Sequence, residues 1–436
     1  MDFATRWDDE LRSVTTTLCE FETTAGNEAP AQGWLRDRLD TWGFETYEWE
    51  ANARTLAEHP SFPDDPDEID VAGRPSVAGV LEFGDPADGP TLVLNGHMDV
   101  VPAGSGWTED PFDPRWGDVE GDVEADDQRD VPGGDADGET LTARGAVDMK
   151  SGLATCVFVA RHLQETTNGL SGRLVVESVA GEEEGGIGAA AAAIENPYPF
   201  DRDCAIVAEP TELTPIVAVE GSLMKRLELT GRSAHAATRW RGESVLGHFD
   251  RIRRAFEALE TERGERLSHP LYEEHPIPWP VNFGRVEAGR WASSVADELE
   301  AEVRIGVAPG ETVDEVEAEF DERLAEVVAA DPWLEANPPT FERFSIQFEP
   351  AEISPDEPVV RAVQSAMRDV GLDRTDPRGA TYGADNRHYV EAGIPTVVFG
   401  PGTVEQAHFP GERIEWGDVL VAGEVLVGAA RTILAE

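Results

Sequence analysis

The chain has 436 residues with 40% hydrophobic and 8% aromatic content, enough to bury more than one core, so two domains are expected. Its 35 basic against 87 acidic residues give a formal net charge of −52, which disfavours nucleic-acid binding because no basic footprint exists. No run of about 18 apolar residues is present, so no membrane span is expected; the charged start MDFATRWDDELRS lacks an apolar signal core, and a cytoplasmic location is expected.

Lys150 and Lys225 are the only lysines, and the acids are spread along the whole chain. An acidic surface of this kind can serve a basic partner. It can also solvate a protein in a salt-saturated cytoplasm, where a Debye length of about 3 Å at molar salt screens self-repulsion. The even spread favours the second reading. Cys19, Cys156 and Cys204 are scattered, with no CxxC pair, and read as small buried hydrophobes rather than a disulfide framework or thiolate zinc site.

In chain order, periodicity predicts helices over 6–22 and 29–42, the latter with Trp34, Leu35 and Leu39 on one face. Strands follow at 77–83 (VAGVLEF) and 91–95. Residues 118–139 are acidic and glycine-rich and read as a solvated loop or disordered insertion, without the terminal glutamate of an EF-hand. A small-residue helix covers 151–164, a strand 173–180, an alanine-rich helix 187–195 and a strand 204–208. This alternation implies an α/β fold with a mostly parallel sheet covered by helices on both faces. Near 215 the pattern changes: antiparallel strands in 216–230 and 279–307 alternate with helices at 242–260 and 311–329, the order of a small α+β domain. From 356 the chain returns to helix, then to a strand at 394–399. Residues 1–214 and 350–436 thus form one domain, interrupted by another at 215–349.

Five stretches end a strand or tight turn on a metal-ligating residue type. They are His97 after 91–95, Asp148 in RGAVD, Glu182-Glu183-Glu184 after 173–180, Glu209 after 204–208, and His408 after 394–399 and the turn Gly400-Pro401-Gly402. In open α/β sheets, ligands bind outside the carboxyl ends of strands. Singly, each has an ordinary reading: a turn histidine, a helix N-cap aspartate, a solvated acidic face. Together, five such coincidences at strand ends argue for a site. RGAVDMKS lacks the glycine before lysine that a P-loop needs, and GRSAH is not a GxSxG elbow.

The ordered set NGHMDVVPAG, GWTEDPFDP, ARGAVDMKSG, GEEEGGIGA, AEPT, GIPTVVFGPG and AHFPGE resembles the ArgE/DapE/carboxypeptidase G2-like metallohydrolases, the M20 peptidase family, nearly end to end. The resemblance implies a phosphorylase/hydrolase-like catalytic domain with an inserted ferredoxin-like lid and dimerisation domain. It implies two divalent metal ions, with Zn2+ the default and Co2+ or Mn2+ compatible with His and carboxylate donors. By resemblance, His97 and Glu209 bind one metal, Glu183 and His408 the other, and Asp148 bridges both. Asp99 would hydrogen-bond His97, and Glu182 would be the general base, leaving Glu184 without a role. GRSAHA matches the lid's histidine motif, so His235 would stabilise an oxyanion, often in the partner subunit of a homodimer. Arg304 resembles an arginine that grips a substrate carboxylate. The family pattern is departed from in three places. Arg304 lies two residues early, a shift of about 6.6 Å along a strand; Ser293 replaces the usual asparagine; and YGADNRH replaces the usual glycine-threonine-aspartate segment.

The expected activity is hydrolysis of an N-acyl amino acid, as in acetylornithine or succinyl-diaminopimelate deacylation, because the WASS and PGET segments resemble that branch. The alternative is a carboxypeptidase or dipeptidase acting on small peptides. A catalytically idle homologue would show a lost ligand or base, and an acidic interaction protein would depend on 118–139; neither ligand nor base is lost here.

Overall fold

The computed structural model describes residues 2–118, 138–166 and 169–435. Most of the expected acidic loop, residues 119–137, lies outside the described residues. Among the described residues, one sheet of nine strands dominates. Its path runs Glu45–Trp49, Ser76–Phe83, Gly172–Val179, Thr91–His97, Cys204–Val207, Thr396–Val398, Ile216–Val219 and Ala351–Glu352, with Arg378–Ala380 also paired to Ile216–Val219.

The sheet is mixed rather than mostly parallel. Its centre, from Gly172–Val179 to Thr396–Val398, is parallel. Both flanks carry antiparallel pairs, Ser76–Phe83 with Gly172–Val179 and Ile216–Val219 with Ala351–Glu352. Ser76–Phe83 and Thr91–His97 are consecutive in sequence, yet Gly172–Val179 sits between them, which alternation of strand and helix does not reveal. Strand Thr91–His97 is buried at every residue. Leu92 and Leu94 pack into one cluster with helices Phe3–Glu20, Ser151–Thr166 and Trp416–Ile433, while Val93 faces another containing Ala189 and Tyr389. A strand covered on both faces reads as a continuous apolar run, as this one does.

A second, four-stranded antiparallel sheet has the order Val281–Ala288, Glu298–Val307, Gly221–Thr230, Thr340–Arg343. With helices Val245–Arg266 and Val313–Ala329, it gives the βαββαβ connectivity and strand order of a ferredoxin-like fold. Its own core joins Leu223, Leu227, Phe256, Val303, Ile305 and Phe320. The stretch 216–230 expected as one strand region divides: Ile216–Val219 pairs in the large sheet and Gly221–Thr230 in the small one. The chain turns at Gly221, where a Cβ would meet the Phe348 carbonyl oxygen at 2.4 Å. No helix among the described residues is long and apolar enough to cross a membrane.

Candidate metal centre

The four parallel central strands run the same way, so their carboxyl ends share one edge of the sheet. His97 is the last residue of its strand, Gly181 to Glu184 follow Val179 closely, Glu209 follows Val207, and the 399–408 loop follows Val398. Small residues allow this convergence. A Cβ on Gly96 would meet Met149 Cε at 2.9 Å, and one on Gly152 would meet the Ala208 carbonyl oxygen at 2.2 Å.

His97 is buried, and its Nδ1 lies 2.9 Å from the Asp99 backbone carbonyl, to which it donates. Its Nε2 therefore faces Asp148 Oδ1 at 2.9 Å and Glu209 Oε1 at 3.6 Å. The expected link from His97 to the Asp99 carboxylate is replaced by this carbonyl contact; the carboxylate stands 3.8 Å from Nδ1. Instead, the carboxylate accepts the backbone N–H groups of Gly181, Glu182 and Glu183 at 2.8, 3.2 and 3.1 Å. The reason is local: three N–H donors of a glycine-rich turn point inward, and a carboxylate has enough lone pairs to satisfy them. Asp99 thus orients His97 through its main chain and the glutamate loop through its side chain.

The three glutamates face different partners. Glu184 pairs with Arg74, which also binds the buried Glu28. Glu183 meets His408 Nε2 at 3.0–3.1 Å. Glu182 is buried, and one of its oxygens lies within 4.8 Å of ligand atoms of His97 and Glu209.

Asp148 faces two histidines with different oxygens, Oδ1 toward His97 at 2.9 Å and Oδ2 toward His408 at 3.4 Å. His408 sits in the left-handed region at φ 60°, a conformation that favours glycine and, in other residues, is found disproportionately at functional sites. Sequence reasoning quoted AHFPGE but gave Glu412 no role. Its buried carboxylate accepts the N–H groups of Val147 and Asp148 at 2.9 and 3.1 Å and pairs with Arg144 at 2.6 Å, fixing the backbone that carries Asp148. Asp385 was missed as well. It is buried beside the glutamate loop with both carboxylate oxygens unpartnered, and burial pushes its carboxyl up to about 7. The only sequence signal was its place in the altered YGADNRH segment.

The electrostatics bear on what this cluster could hold. Burial and mutual repulsion raise Glu182 and Glu209 well above the usual carboxylate range, and burial and Asp148 raise Glu183. The same acids hold His97 well above its ordinary value and His408 up to about 10. Buried like charges are costly unless paired or metal-bound. Two imidazoles and four carboxylates with one aspartate facing both sides fit a pair of divalent cations by donor chemistry.

Among the described residues, the second sheet supplies no ligand to this cluster. His235 is exposed, its Nδ1 accepting the Ala237 N–H at 3.0 Å, and no hydrogen bond or ion pair ties it to the cluster among the described residues. Arg304 is engaged elsewhere: Nη1 donates to the buried Glu220 at 3.0 Å and Nη2 to the Thr381 carbonyl at 3.2 Å.

Comparison with known proteins agrees with this architecture. The model of peptidase family M20/M25/M40 matches residues 93–432. An N-formyl-4-amino-5-aminomethyl-2-methylpyrimidine deformylase of Bacillus subtilis (strain 168) is 27% identical over 430 residues, covering 93% of this chain and 90% of the relative. An acetylornithine deacetylase of Pectobacterium atrosepticum is 27% identical over 330 residues, covering 74% and 75%. The crystal structure of a dinuclear metal-binding peptidase of the M20 family from Bacillus subtilis has the same fold, with a TM-score of 0.62 at 15% identity and 99% coverage of both chains. The chain belongs to peptidase family M20/M25/M40 and is a metal-binding hydrolase of amide bonds.

Proposed function

We propose that this protein is a di-metal deacylase that removes a small acyl group, formyl or acetyl, from an amine nitrogen. The observation that carries the reading is the division of labour among the strand-end acids. Asp148 faces both histidines, Glu183 faces His408, Glu209 faces His97, and Glu182 is buried beside them with no ion pair of its own among the described residues.

His97, Glu209 and Asp148 would hold one divalent ion, and Asp148, Glu183 and His408 the other, with zinc the first choice for this donor set. When bound, the pair supplies a water of lowered pKa and polarises the amide carbonyl. Glu182 takes the proton from the attacking water and returns it to the leaving nitrogen. A carboxyl held above the usual carboxylate range by burial suits this exchange, because it is a better proton acceptor than an ordinary carboxylate. Asp99 keeps the Glu182–Glu183 backbone in place throughout.

Residues 220–349 act as the lid, and the rest as the catalytic domain; Ile216–Val219 goes with the catalytic sheet. The lid leaves Trp240 and Trp291 about three-quarters exposed, and its edge strand Val281–Ala288 carries the exposed Val286. Such a surface suits a homodimer in which His235 reaches the partner's site and stabilises the oxyanion.

The engagement of Arg304 by Glu220 and Thr381 weakens the expectation that it grips a substrate carboxylate. It favours an uncharged N-formyl or N-acetyl amine over an N-acyl amino acid. The relatives matched include both a deformylase and deacetylases. The test is hydrolysis of a panel of N-formyl and N-acetyl arylmethylamines, N-acetyl and N-succinyl amino acids, and dipeptides, with chelated and zinc- or cobalt-reloaded protein. Metal-restored cleavage of the uncharged amides is expected. Preference for N-acyl amino acids would restore the Arg304 reading, and preference for dipeptides would make the protein a peptidase. The charge of −52 is read as an adaptation to a salt-rich cytoplasm. Thermal stability should rise steeply from dilute buffer to molar KCl, and full stability in dilute buffer would refute it.

A further inference from the structure

A second group of metal-ligating side chains lies apart from the strand-end cluster. His59, from the loop after helix Ala53–Leu56, meets His388 and Glu391, from helix Asn386–Glu391, with one ligand atom of each within 4.8 Å of the others. His388 and Glu391 are three residues apart and share one helix face. His388 is buried; its Nε2 lies 3.0 Å from the Gly185 carbonyl and donates to it. That leaves Nδ1 as a lone-pair acceptor, buried and without a hydrogen-bond partner. An orphaned buried ring nitrogen is rare and calls for a partner. Burial and the neighbouring Arg387 hold this imidazole well below its ordinary value, so it is neutral.

His59 stands edge-on to His388, with ring centroids 5.5 Å apart, and its Nε2 lies 2.8 Å from Glu391 Oε2. The His59 ring is mostly buried, whereas the Glu391 side chain is 56% exposed. The trio therefore has a buried donor at its floor and a movable carboxylate at its mouth, open to solvent.

We propose that His59 Nε2, His388 Nδ1 and Glu391 bind a divalent transition-metal ion, zinc in the first instance, distinct from the strand-end pair. Two imidazoles and a carboxylate are donors zinc accepts, with water in the fourth position. Ligating histidines commonly donate their other ring nitrogen to a backbone carbonyl, as His388 does to Gly185. Tetrahedral bonds of about 2.0–2.1 Å set adjacent donors about 3.3 Å apart, so Glu391 must draw back slightly, which its exposure permits. His59 Nδ1 now accepts the Ser61 N–H at 3.2 Å; on binding, the ring proton moves to Nδ1 and that bond is exchanged for coordination.

The ion would brace the loop that carries Glu182 and Glu183. The Gly185 carbonyl accepts from both His388 and Arg387 Nη2, the latter at 2.6 Å, and a Cβ on Gly186 would lie 2.5 Å from His388 Nε2. A metal clamp on His388 fixes the surface on which that loop rests.

The test is metal content by mass spectrometry of the full-length protein, stripped and reloaded with zinc, then dialysed against metal-free buffer. His59→Ala and Glu391→Gln should each hold one equivalent less than the wild type. A His97→Ala/His408→Ala double variant should keep the equivalent that His59→Ala loses. With cobalt, that equivalent should give visible absorption in the double variant that vanishes when Glu391→Gln is added. Equal metal content in wild type, His59→Ala and Glu391→Gln would overturn the proposal. So would a double variant that holds no metal, since every bound ion would then belong to the strand-end cluster.

Discussion

The two sheets treat their polar residues in opposite ways. At the large sheet, His97, Glu183 and Glu209 stand at or just beyond the ends of central strands and Asp148 comes in from the Ala146–Lys150 segment, and backbone contacts and their own ion pairs hold them together. In the inserted region, the exposed His235 side chain bonds its own turn at Ala237 and its backbone bridges to Ser294, and Arg304 is tied back to Glu220 and to Thr381. The difference teaches where the two kinds of specificity reside. The chemistry is built into a rigid, mutually constrained edge. His235 and Arg304 belong instead to the region of the second sheet, which has its own apolar core.

The largest effect is expected at Glu182. Glu182→Gln should retain metal yet lose about 1000-fold or more in kcat, the upper range for a general base. Substantial turnover would shift the base to a neighbouring glutamate and blur the separation between ligand and base. His235→Ala should lower kcat by about 100-fold while metal content stays unchanged, as for loss of one oxyanion donor. A fall in metal content would mean that the small sheet does contribute to the metal centre.

Metal uptake itself sharpens the contrast. The acids beside them raise His97 above its ordinary value and His408 to about 10, so at pH 7 the His408 imidazole carries a proton in metal-free protein. Coordination requires it neutral, so uptake must release protons, and affinity should rise with pH up to about 10. In metal-free protein the sign is the reverse: the His408 pairs add stability below its unfolded value near 6.5, and that stability is lost as pH rises through about 10. Calorimetry in two buffers of different ionisation enthalpy checks the release; uptake without protons would show the histidines already neutral.

The smallest effect is expected at Arg304. Arg304→Ala strips the buried Glu220 of its partner, but burial already pushes that carboxyl up to about 8, so it can neutralise by taking a proton. A loss of about 1–3 kcal/mol in denaturant unfolding is expected, with little change in KM for an uncharged amide. A large KM increase confined to substrates bearing a carboxylate would return Arg304 to substrate recognition.

Much of the fold was legible because burial on both faces writes strands as unbroken apolar runs. Thr91–His97, Gly172–Val179 and Cys204–Val207 fall within a residue or two of expectation. The short strands Glu45–Trp49, Glu139–Thr142 and Arg378–Ala380, and the C-terminal helix Trp416–Ile433, were not read. Short strands carry too few residues for a period to show, and this helix has an apolar surface too broad for one face to stand out.

The sequence by itself determined the inventory: five strand- or turn-end ligand types in the order of a family motif, and a strand-helix-strand-strand-helix insertion between them, whose last strand, Thr340–Arg343, it left unread. Only the tertiary structure decided the pairings. It inserted Gly172–Val179 between two consecutive strands, gave the Asp99 carboxylate to the glutamate loop rather than to His97, enlisted Glu412 to fix Asp148, and turned Arg304 toward Glu220. Residue types and spacing specify which donors and acceptors are available. Which of them meet depends on backbone groups left unsatisfied by a particular strand order, and that order is a property of the assembled sheet.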